Sequence, residues 1–244
     1  MSWHTGRMAA FDLETTSPNA EDARIVTACI VQVGASLPPQ PATWIADPGI
    51  EVPDEAAAIH GYDTARVRAE GAPAAEVVEQ LVAALGQIVL SGVPVVAMNA
   101  RYDLTVMDRE ARRHGITPLV DTCGNDLRVI DPFVLDRQVD RYRKGRRTLT
   151  ALCQHYRVRI DKAHDSAADA IAGARVAWRI GSVYPRLAAL SVEELHALQI
   201  TWAAEQAAGL QEHFRKTNPT AVVEPAWPMV PVPSIPAQRA GGDV

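Results

Sequence analysis

The stretch MAAFDLETT, residues Met8–Thr16, begins as an apolar run and ends in two carboxylates. The apolar half is typical of a buried strand. Side chains two residues apart in a strand point to the same face, so Asp12 and Glu14 project together from one side. No lysine or arginine lies between them, and two like charges held this close repel each other. Because a divalent cation would relieve this repulsion, we expect the strand to supply half of a metal site.

The remaining apolar pattern predicts an α/β domain with a mixed five-stranded sheet flanked by helices. Three strands joined by turns come first, and helices then alternate with strands. Besides the opening strand, we expect strands at 24–35, 43–46, 93–98 and 127–130. We expect helices at 78–89, 104–114, 149–156 and 167–183.

The C-terminal part of the chain divides into a helix and a proline-rich stretch. Ser191 and Glu194 form a capping box that opens a helix running to about Lys216, with apolar residues on one stripe. From Asn218 onward six prolines leave few backbone hydrogen bonds to make. We therefore expect a domain at 1–187, a C-terminal helix at 188–217 that packs on the domain, and a disordered tail at 218–244.

Composition limits the classes of function that are open to this protein. The 244 residues carry a formal net charge of -5 and a sequence pI of about 5.8, so a large basic surface for duplex nucleic acid is not expected. The three cysteines are widely spaced and form neither a zinc-type pair nor a disulfide framework, which predicts a reducing cytoplasm. The sequence has neither the apolar core of a signal peptide near its start nor an apolar run long enough to span a membrane.

Two further segments add acidic groups and a histidine to the pair on the first strand. Asn99-Ala100-Arg101-Tyr102-Asp103 follows a strand, which places Asp103 at the start of the next helix. His164 and Asp169 stand five residues apart at the start of another helix. An N-cap at Asp165 or Ser166 would leave His164 in the preceding loop, from which it can approach Asp169, and the role of cap explains Asp165 better than that of a ligand.

These segments resemble the three motifs of the DEDD-type 3′–5′ exonucleases, in the subgroup with a histidine. That family includes the proofreading epsilon subunit of bacterial DNA polymerase III and several RNases. The resemblance covers roughly residues 7–185 and implies an RNase H-like fold. Ser17, where a glycine is common, and Tyr62, where an isoleucine is common, depart from the pattern and bear on substrate preference.

The resemblance implies the roles of the site residues and the chemistry that they perform. Asp12, Glu14, Asp103 and Asp169 would hold two Mg²⁺ or Mn²⁺ ions, which prefer hard oxygen ligands. Two such ions about 4 Å apart stabilise the attacking and the leaving oxygen of a phosphodiester. His164 would be the general base, because the unperturbed pKa of histidine is about 6.5.

By the same resemblance, five residues would seat the terminal nucleotides of a single-stranded 3′ end: Leu13, Thr15, Thr16, His60 and Asn99. For His60, a merely packed side chain is an equal alternative. Separately, the segment 137–147 carries six basic residues against one acidic residue and predicts either a contact to the phosphate backbone or an ordinary solvated surface. We expect Asp108 to be a surface charge.

The predicted activity is the release of nucleoside monophosphates from single-stranded DNA. Trimming of RNA by the same chemistry is one alternative. A proofreading subunit bound to a DNA polymerase is another, although the sequence contains no evident clamp-binding peptide.

Overall fold

The computed structural model describes residues 2–34, 38–160 and 165–232 of the chain. In this part a six-stranded sheet has the order β4-β3-β2-β1-β5-β6. Strands β1, β2 and β3 form an antiparallel meander, β5 and β6 run parallel to β1, and β4 pairs with β3 in parallel. The strands are β1 (Met8–Thr15), β2 (Ile25–Val33), β3 (Gln40–Asp47), β4 (Ala72–Pro73), β5 (Val95–Val96) and β6 (Val129–Ile130).

Helices cover both faces of the sheet and the edge beyond β6. Two short 3₁₀ turns lie at Trp3–Thr5 and Gly124–Asp126. The helices of the described chain are α1 (Asp54–His60), α2 (Thr64–Glu70), α3 (Ala74–Leu90), α4 (Ala100–Arg113), α5 (Leu119–Cys123), α6 (Pro132–Val139), α7 (Leu149–Tyr156), α8 (Ser166–Val183), α9 (Pro185–Ala188) and α10 (Val192–Arg215). Every one of these helices is too short or too polar to span a lipid bilayer.

The expected α/β class with a mixed sheet is confirmed, but the expected strand count of five is wrong for the described chain. The additional strand, β4, pairs only Ala72 and Pro73 with the end of β3. A two-residue strand at an edge has no periodic pattern, and its proline is tolerated only because the strand is at the edge. The capping box is confirmed, since the Ser191 hydroxyl accepts from the Glu194 N–H and the Glu194 carboxylate accepts from the Ser191 N–H.

Strand β1 lies in the middle of the sheet and divides the apolar core into two layers. Phe11 and Leu13 pack in the layer that contains α3 and α4, whereas Met8 and Ala10 pack in the layer that contains α7 and α8. Because side chains alternate along a strand, the residues at even positions of β1 face α8. Asp12 therefore points to the side of the sheet on which α8 packs.

The expectation of a disordered tail is wrong for residues 218–232, which we call the C-terminal segment. Trp227 is buried, and its indole N–H donates to the carboxylate of Asp131 at 3.1 Å. The N–H of Val230 donates to the Thr105 hydroxyl at 3.0 Å, and Arg109 donates to the carbonyl of Val230 at 3.1 Å. Side chains of α4 thus form hydrogen bonds with backbone groups of the C-terminal segment, which belong to neither a helix nor a sheet. Residues 233–244 lie outside the described residues.

Candidate active site

Three carboxylates from two elements meet where β1 ends against α8. One oxygen from each of Asp12, Glu14 and Asp169 lies within 4.8 Å of the other two. Asp12 and Glu14 come from the same face of β1, and Asp169 lies in the first turn of α8. Asp165 defines the beginning of α8, because its side chain caps the helix by accepting from the Ala168 N–H at 3.1 Å. The sequence prediction that Asp165 acts as the cap is therefore confirmed.

The electrostatics of this cluster oppose full ionisation of its carboxylates. Burial is the main cause that raises the pKa of Asp12 well above its ordinary value, and the charges of Asp103, Asp169 and Glu14 raise it further. Burial and the repulsion from Asp169 and Asp165 raise the pKa of Glu14 from 4.5 to about 7. Groups that resist ionisation next to one another indicate a site that a cation would stabilise.

The fourth predicted carboxylate, Asp103, lies beside the cluster on α4. Its side chain is buried and accepts a hydrogen bond from the backbone N–H of Leu13 at 3.2 Å. Burial raises the pKa of Asp103 despite this hydrogen bond, and Asp103 in turn raises the pKa of Asp12. The bond to Leu13 joins α4 to β1 between the two carboxylates of that strand.

Asp131 fixes the beginning of α4, and the sequence analysis did not identify this residue. The carboxylate follows β6 directly and accepts from the backbone N–H groups of Asn99 at 2.9 Å and Ala100 at 3.0 Å. It also accepts from the N–H of Phe133 at the start of α6. Asn99 has a left-handed backbone (φ 65°), a conformation that few residues other than glycine adopt, and the hydrogen bonds to Asp131 stabilise it. An Asp-Pro pair after a strand is a signal of a helix N-cap that could have revealed Asp131.

A cleft of about 510 Å³ opens next to the acidic cluster. Glu14 belongs to both the acidic cluster and the cleft, and the volume of the cleft is typical of a pocket for a small ligand. Ile59 is exposed at the rim, and His60 is buried with its Nδ1 accepting from the Tyr62 N–H at 3.1 Å. The residues that line the cleft are Glu14, Thr15, Thr16, Ser17, Pro18, Pro53, Glu55, Ala56, Ile59, His60 and Tyr102.

Tyr102 is a cleft residue that the sequence analysis missed. It precedes Asp103 on α4, and its hydroxyl donates to the carbonyl of Ser17 and contacts the Thr15 hydroxyl. This contact ties the loop after β1 to α4 across the floor of the cleft. Its position next to Asp103 was the signal, because an aromatic residue there faces the strand that carries Asp12.

The five predicted nucleotide contacts fall at three different places. Thr15, Thr16 and His60 line the cleft, but the Thr16 hydroxyl already accepts from the Arg24 N–H at 3.0 Å. Leu13 is buried in the core and is not a lining residue of the cleft. Asn99 lines a separate cavity between α6 and α10. His164, the predicted general base, lies outside the described residues.

The basic stretch 137–147 is partly used inside the protein. Arg143 donates to the carboxylate of Asp136 at 2.8 Å, and Arg147 forms an ion pair with the same carboxylate. Asp136 is fully buried, and the positive charges of these two arginines offset the cost of removing its carboxylate from water.

The expectation that Asp108 is a surface charge is wrong. Its side chain is buried and pairs with Arg109 at 2.7 Å and with Arg112 at 3.1 Å. Arg112 stands four residues further along α4, so the pair lies on one helix face.

A family model described as "Exonuclease" (RNase_T) matches residues 9–177, which is well over half of the chain. The chain therefore belongs to this exonuclease family. The match includes β1, the start of α4 and the start of α8, which are the elements that carry the acidic residues. A comparison with curated proteins found no match.

Solved structures of Exonuclease I share the fold. The E. coli enzyme in complex with a dT13 oligonucleotide superimposes with a TM-score of 0.61 at 19% sequence identity, over 75% of this chain and 42% of that one. Exonuclease I from Methylocaldum szegediense gives a TM-score of 0.62 at 21% identity with the same coverage. This chain thus spans less than half the length of the Exonuclease I chains that it matches.

Proposed function

We propose that this protein is a metal-dependent 3′–5′ exonuclease that releases nucleoside monophosphates from single-stranded DNA. The observation that carries the proposal is the position of the acidic cluster, which shares Glu14 with a cleft of about 510 Å³. Membership of the exonuclease family supports phosphodiester hydrolysis as the reaction. The E. coli Exonuclease I structure with a dT13 oligonucleotide supports a single-stranded DNA substrate.

The donor set of the cluster fits hard divalent cations. Carboxylate oxygens are the preferred ligands of Mg²⁺ and Mn²⁺. Burial and the repulsion from Asp169 and Asp165 raise the pKa of Glu14, and a bound cation would offset both effects. Asp12, Glu14 and Asp169 would hold the cations, with Asp103 completing the set from α4. Two bound cations would stabilise the attacking and the leaving oxygen of the scissile phosphodiester.

The cleft would receive the nucleotide at the 3′ end. Pro18, Pro53 and Ile59 offer apolar surface for a base, and aromatic contact is available from Tyr102. Because Glu14 is a lining residue, a nucleotide in the cleft would present its phosphate to the acidic cluster. A phosphate that is held in place reacts faster, because the reacting groups are already aligned.

His164 would take the proton from the attacking water. It immediately precedes Asp165, the cap of α8, and Asp169 lies in the first turn of the same helix. The side chain of a histidine accepts a proton readily near neutral pH. Replacing it in His164→Ala should leave a folded protein with little nuclease activity, and near-full activity would remove this residue from the mechanism.

Digestion of a 5′-labelled strand tests the proposed activity. We expect a ladder of labelled products that shortens from the 3′ end in the presence of Mg²⁺ or Mn²⁺ and disappears with EDTA. The inactive comparison is Asp12→Asn, and the matched control is Asp126→Asn, which removes a charge from an exposed residue of the second 3₁₀ turn. Activity that persists in EDTA, or no activity on any strand, would contradict the proposal.

A labelled RNA of the same sequence separates the two possible substrate classes. Faster shortening of DNA than of RNA supports the proposed substrate. Faster shortening of RNA would keep the chemistry and assign the protein to RNA trimming.

A further inference from the structure

A positively charged groove runs between α6 and α10, away from the cleft that would hold the terminal nucleotide. Two adjoining cavities of about 40 and 420 Å³ form it and share Arg137, Gln206 and Leu210. The inner cavity reaches Asn99 and Arg101 at the start of α4. We call this feature the α6–α10 groove.

The inner end of the α6–α10 groove lies at the same edge of the sheet as the acidic cluster. Strands β1, β5 and β6 are parallel, so their carboxyl ends meet at one edge. Asp12 and Glu14 lie near the end of β1, and Asn99 and Asp131 follow β5 and β6. Asn99 is also one helical turn from Asp103. A strand that leaves the acidic cluster along this edge of the sheet would therefore reach the inner end of the groove.

The arginines of the groove differ from the other basic residues of the same stretch. Within the described residues, Arg101, Arg137 and Arg141 form no ion pair with a carboxylate. Arg101 donates to the carbonyl of Glu224 in the C-terminal segment, and the Arg137 guanidinium lies 5.4 Å from the ring centre of Phe133. Three cationic side chains thus face a shared space and retain capacity to bind an anion.

The charge of the groove is unbalanced. Burial lowers the pKa of Arg137, and the nearby charges of Arg147 and Arg101 lower it further, so these guanidinium groups repel one another. Glu205 is an exposed acid on the wall of the outer cavity. Asp131 lines the inner cavity, but its oxygens already accept from three backbone N–H groups and the Trp227 indole. A bound polyanion would relieve the repulsion among the arginines.

The outer end of the groove presents an aromatic ring. Tyr142 is 87% exposed, and the Arg141 guanidinium lies 5.9 Å from the centre of its ring. An exposed aromatic side chain beside arginines is the combination with which proteins hold single strands, because bases stack on the ring while the cations hold the phosphates.

We propose that the α6–α10 groove binds the phosphodiester backbone of single-stranded nucleic acid on the 5′ side of the linkage that is cleaved. The direction of the strand rests on the proposed function, whereas binding itself does not. Arg101 and Arg137 would contact phosphates near the acidic cluster. Arg141 and Tyr142 would hold the strand further out.

Binding of a fluorescently labelled dT12 oligonucleotide, measured by anisotropy in EDTA, tests the groove without any hydrolysis. The double variant Arg101→Gln/Arg137→Gln should bind at least about tenfold more weakly than the wild type, and the slope of log affinity against log salt should fall by about 1.4. The matched control is Arg186→Gln, which removes a charge from exposed α9 and should bind as the wild type does. Because Arg141 is exposed, Arg141→Gln provides a second variant with little risk to folding.

Each outcome of this measurement decides the inference. Unchanged affinity in both groove variants overturns it, as does an equal loss in Arg186→Gln. A labelled polyglutamate peptide that binds the wild type as tightly as dT12 would also overturn it, since the groove would then recognise acidic peptides.

Hydrolysis by the same variants separates this inference from the proposed function. The rise in KM should grow with strand length and be smallest for a dinucleotide, which does not extend along the groove. A wild type that binds dT12 through the groove but cleaves no strand would refute the proposed function alone. A wild type that cleaves strands, with groove variants whose KM is unchanged at every length, would refute the groove alone.

Discussion

Asp136 on α6 and the pair Asp12 and Glu14 on β1 are carboxylates with opposite charged surroundings, and only the pair is partly exposed. Asp136 is fully buried between Arg143 and Arg147, which neutralise it. No arginine or lysine within the described ranges forms an ion pair with Asp12 or Glu14. Burial raises the pKa of both, and the charges of neighbouring carboxylates raise it further.

The difference separates two kinds of carboxylate. A structural acid carries its cation within the chain, as Asp108 does with Arg109 and Arg112. Asp12 and Glu14 repel their acidic neighbours, and under the proposed function a cation from outside the chain would neutralise them. Neutralising an acid should therefore cost stability in the first group, and cost activity in the second.

The largest expected effect is the loss of activity in Asp12→Asn. The variant keeps the shape of the side chain but removes a proposed cation ligand, and metal ions contribute several kcal/mol to such reactions. We expect kcat to fall by at least about 1,000-fold. Single-turnover hydrolysis of a labelled strand measures this loss. A fall of less than about tenfold would place Asp12 outside the chemistry.

The next effect is a loss of stability in Asp136→Asn. Removing this charge leaves two partly buried guanidinium groups without their carboxylate, which typically costs about 3–5 kcal/mol. Chemical denaturation measures the free energy of unfolding, with Asp126→Asn as an exposed control. A loss below about 1 kcal/mol, the range of a surface ion pair, would abolish the contrast between the two groups.

The pH dependence of the stability of the metal-free protein tests the same contrast at the acidic cluster. The folded pKa of Glu14 is raised, so the folded state binds this proton more tightly than the unfolded state does. The contribution of Glu14 to stability is therefore full below its ordinary value of 4.5 and is lost as the pH rises towards about 7. We expect denaturation in EDTA to show this decline, and Glu14→Gln to flatten it. The raised pKa of Glu14 would be contradicted if the stability of the wild type rose over this pH range and Glu14→Gln showed the same dependence on pH.

The smallest effect concerns Trp227, which donates to Asp131 from the C-terminal segment. Trp227→Phe keeps an aromatic ring but removes the indole N–H, and a hydrogen bond to a charged group is worth about 1.5–3 kcal/mol. We expect a loss of stability in this range. The control is Trp178→Phe, because Trp178 is an exposed residue of α8. Equal stability of the two variants would show that the C-terminal segment does not hold Asp131.

Local patterns were sufficient to predict the elements that carry the site. The apolar run before Asp12, the cap at Asp165 and the capping box at Ser191 each act within a few residues of the chain. These features predicted β1 and the starts of α8 and α10 correctly.

Long-range partners explain what the sequence analysis missed. The prolines after Asn218 predicted disorder because they leave few local backbone hydrogen bonds. Thr105 and Arg109 bond to the backbone of Val230, and Asp131 accepts from the indole of Trp227, each from more than ninety residues away. The burial of Asp108 depends likewise on where α4 packs, which the residues around it do not encode. The apolar pattern of a segment thus predicts its local structure more readily than its distant contacts.

Thermal unfolding with and without Mn²⁺, on the wild type and Asp12→Asn, tests most directly whether the acidic cluster is a cation site. Mn²⁺ should raise the unfolding temperature of the wild type, because a ligand that binds only the folded state stabilises it. In Asp12→Asn the metal should have little effect. The metal-free variant should unfold at a higher temperature than the metal-free wild type, because it no longer buries an ionisable carboxylate beside other acids. Equal stabilisation of both proteins by Mn²⁺, or of neither, would contradict the account.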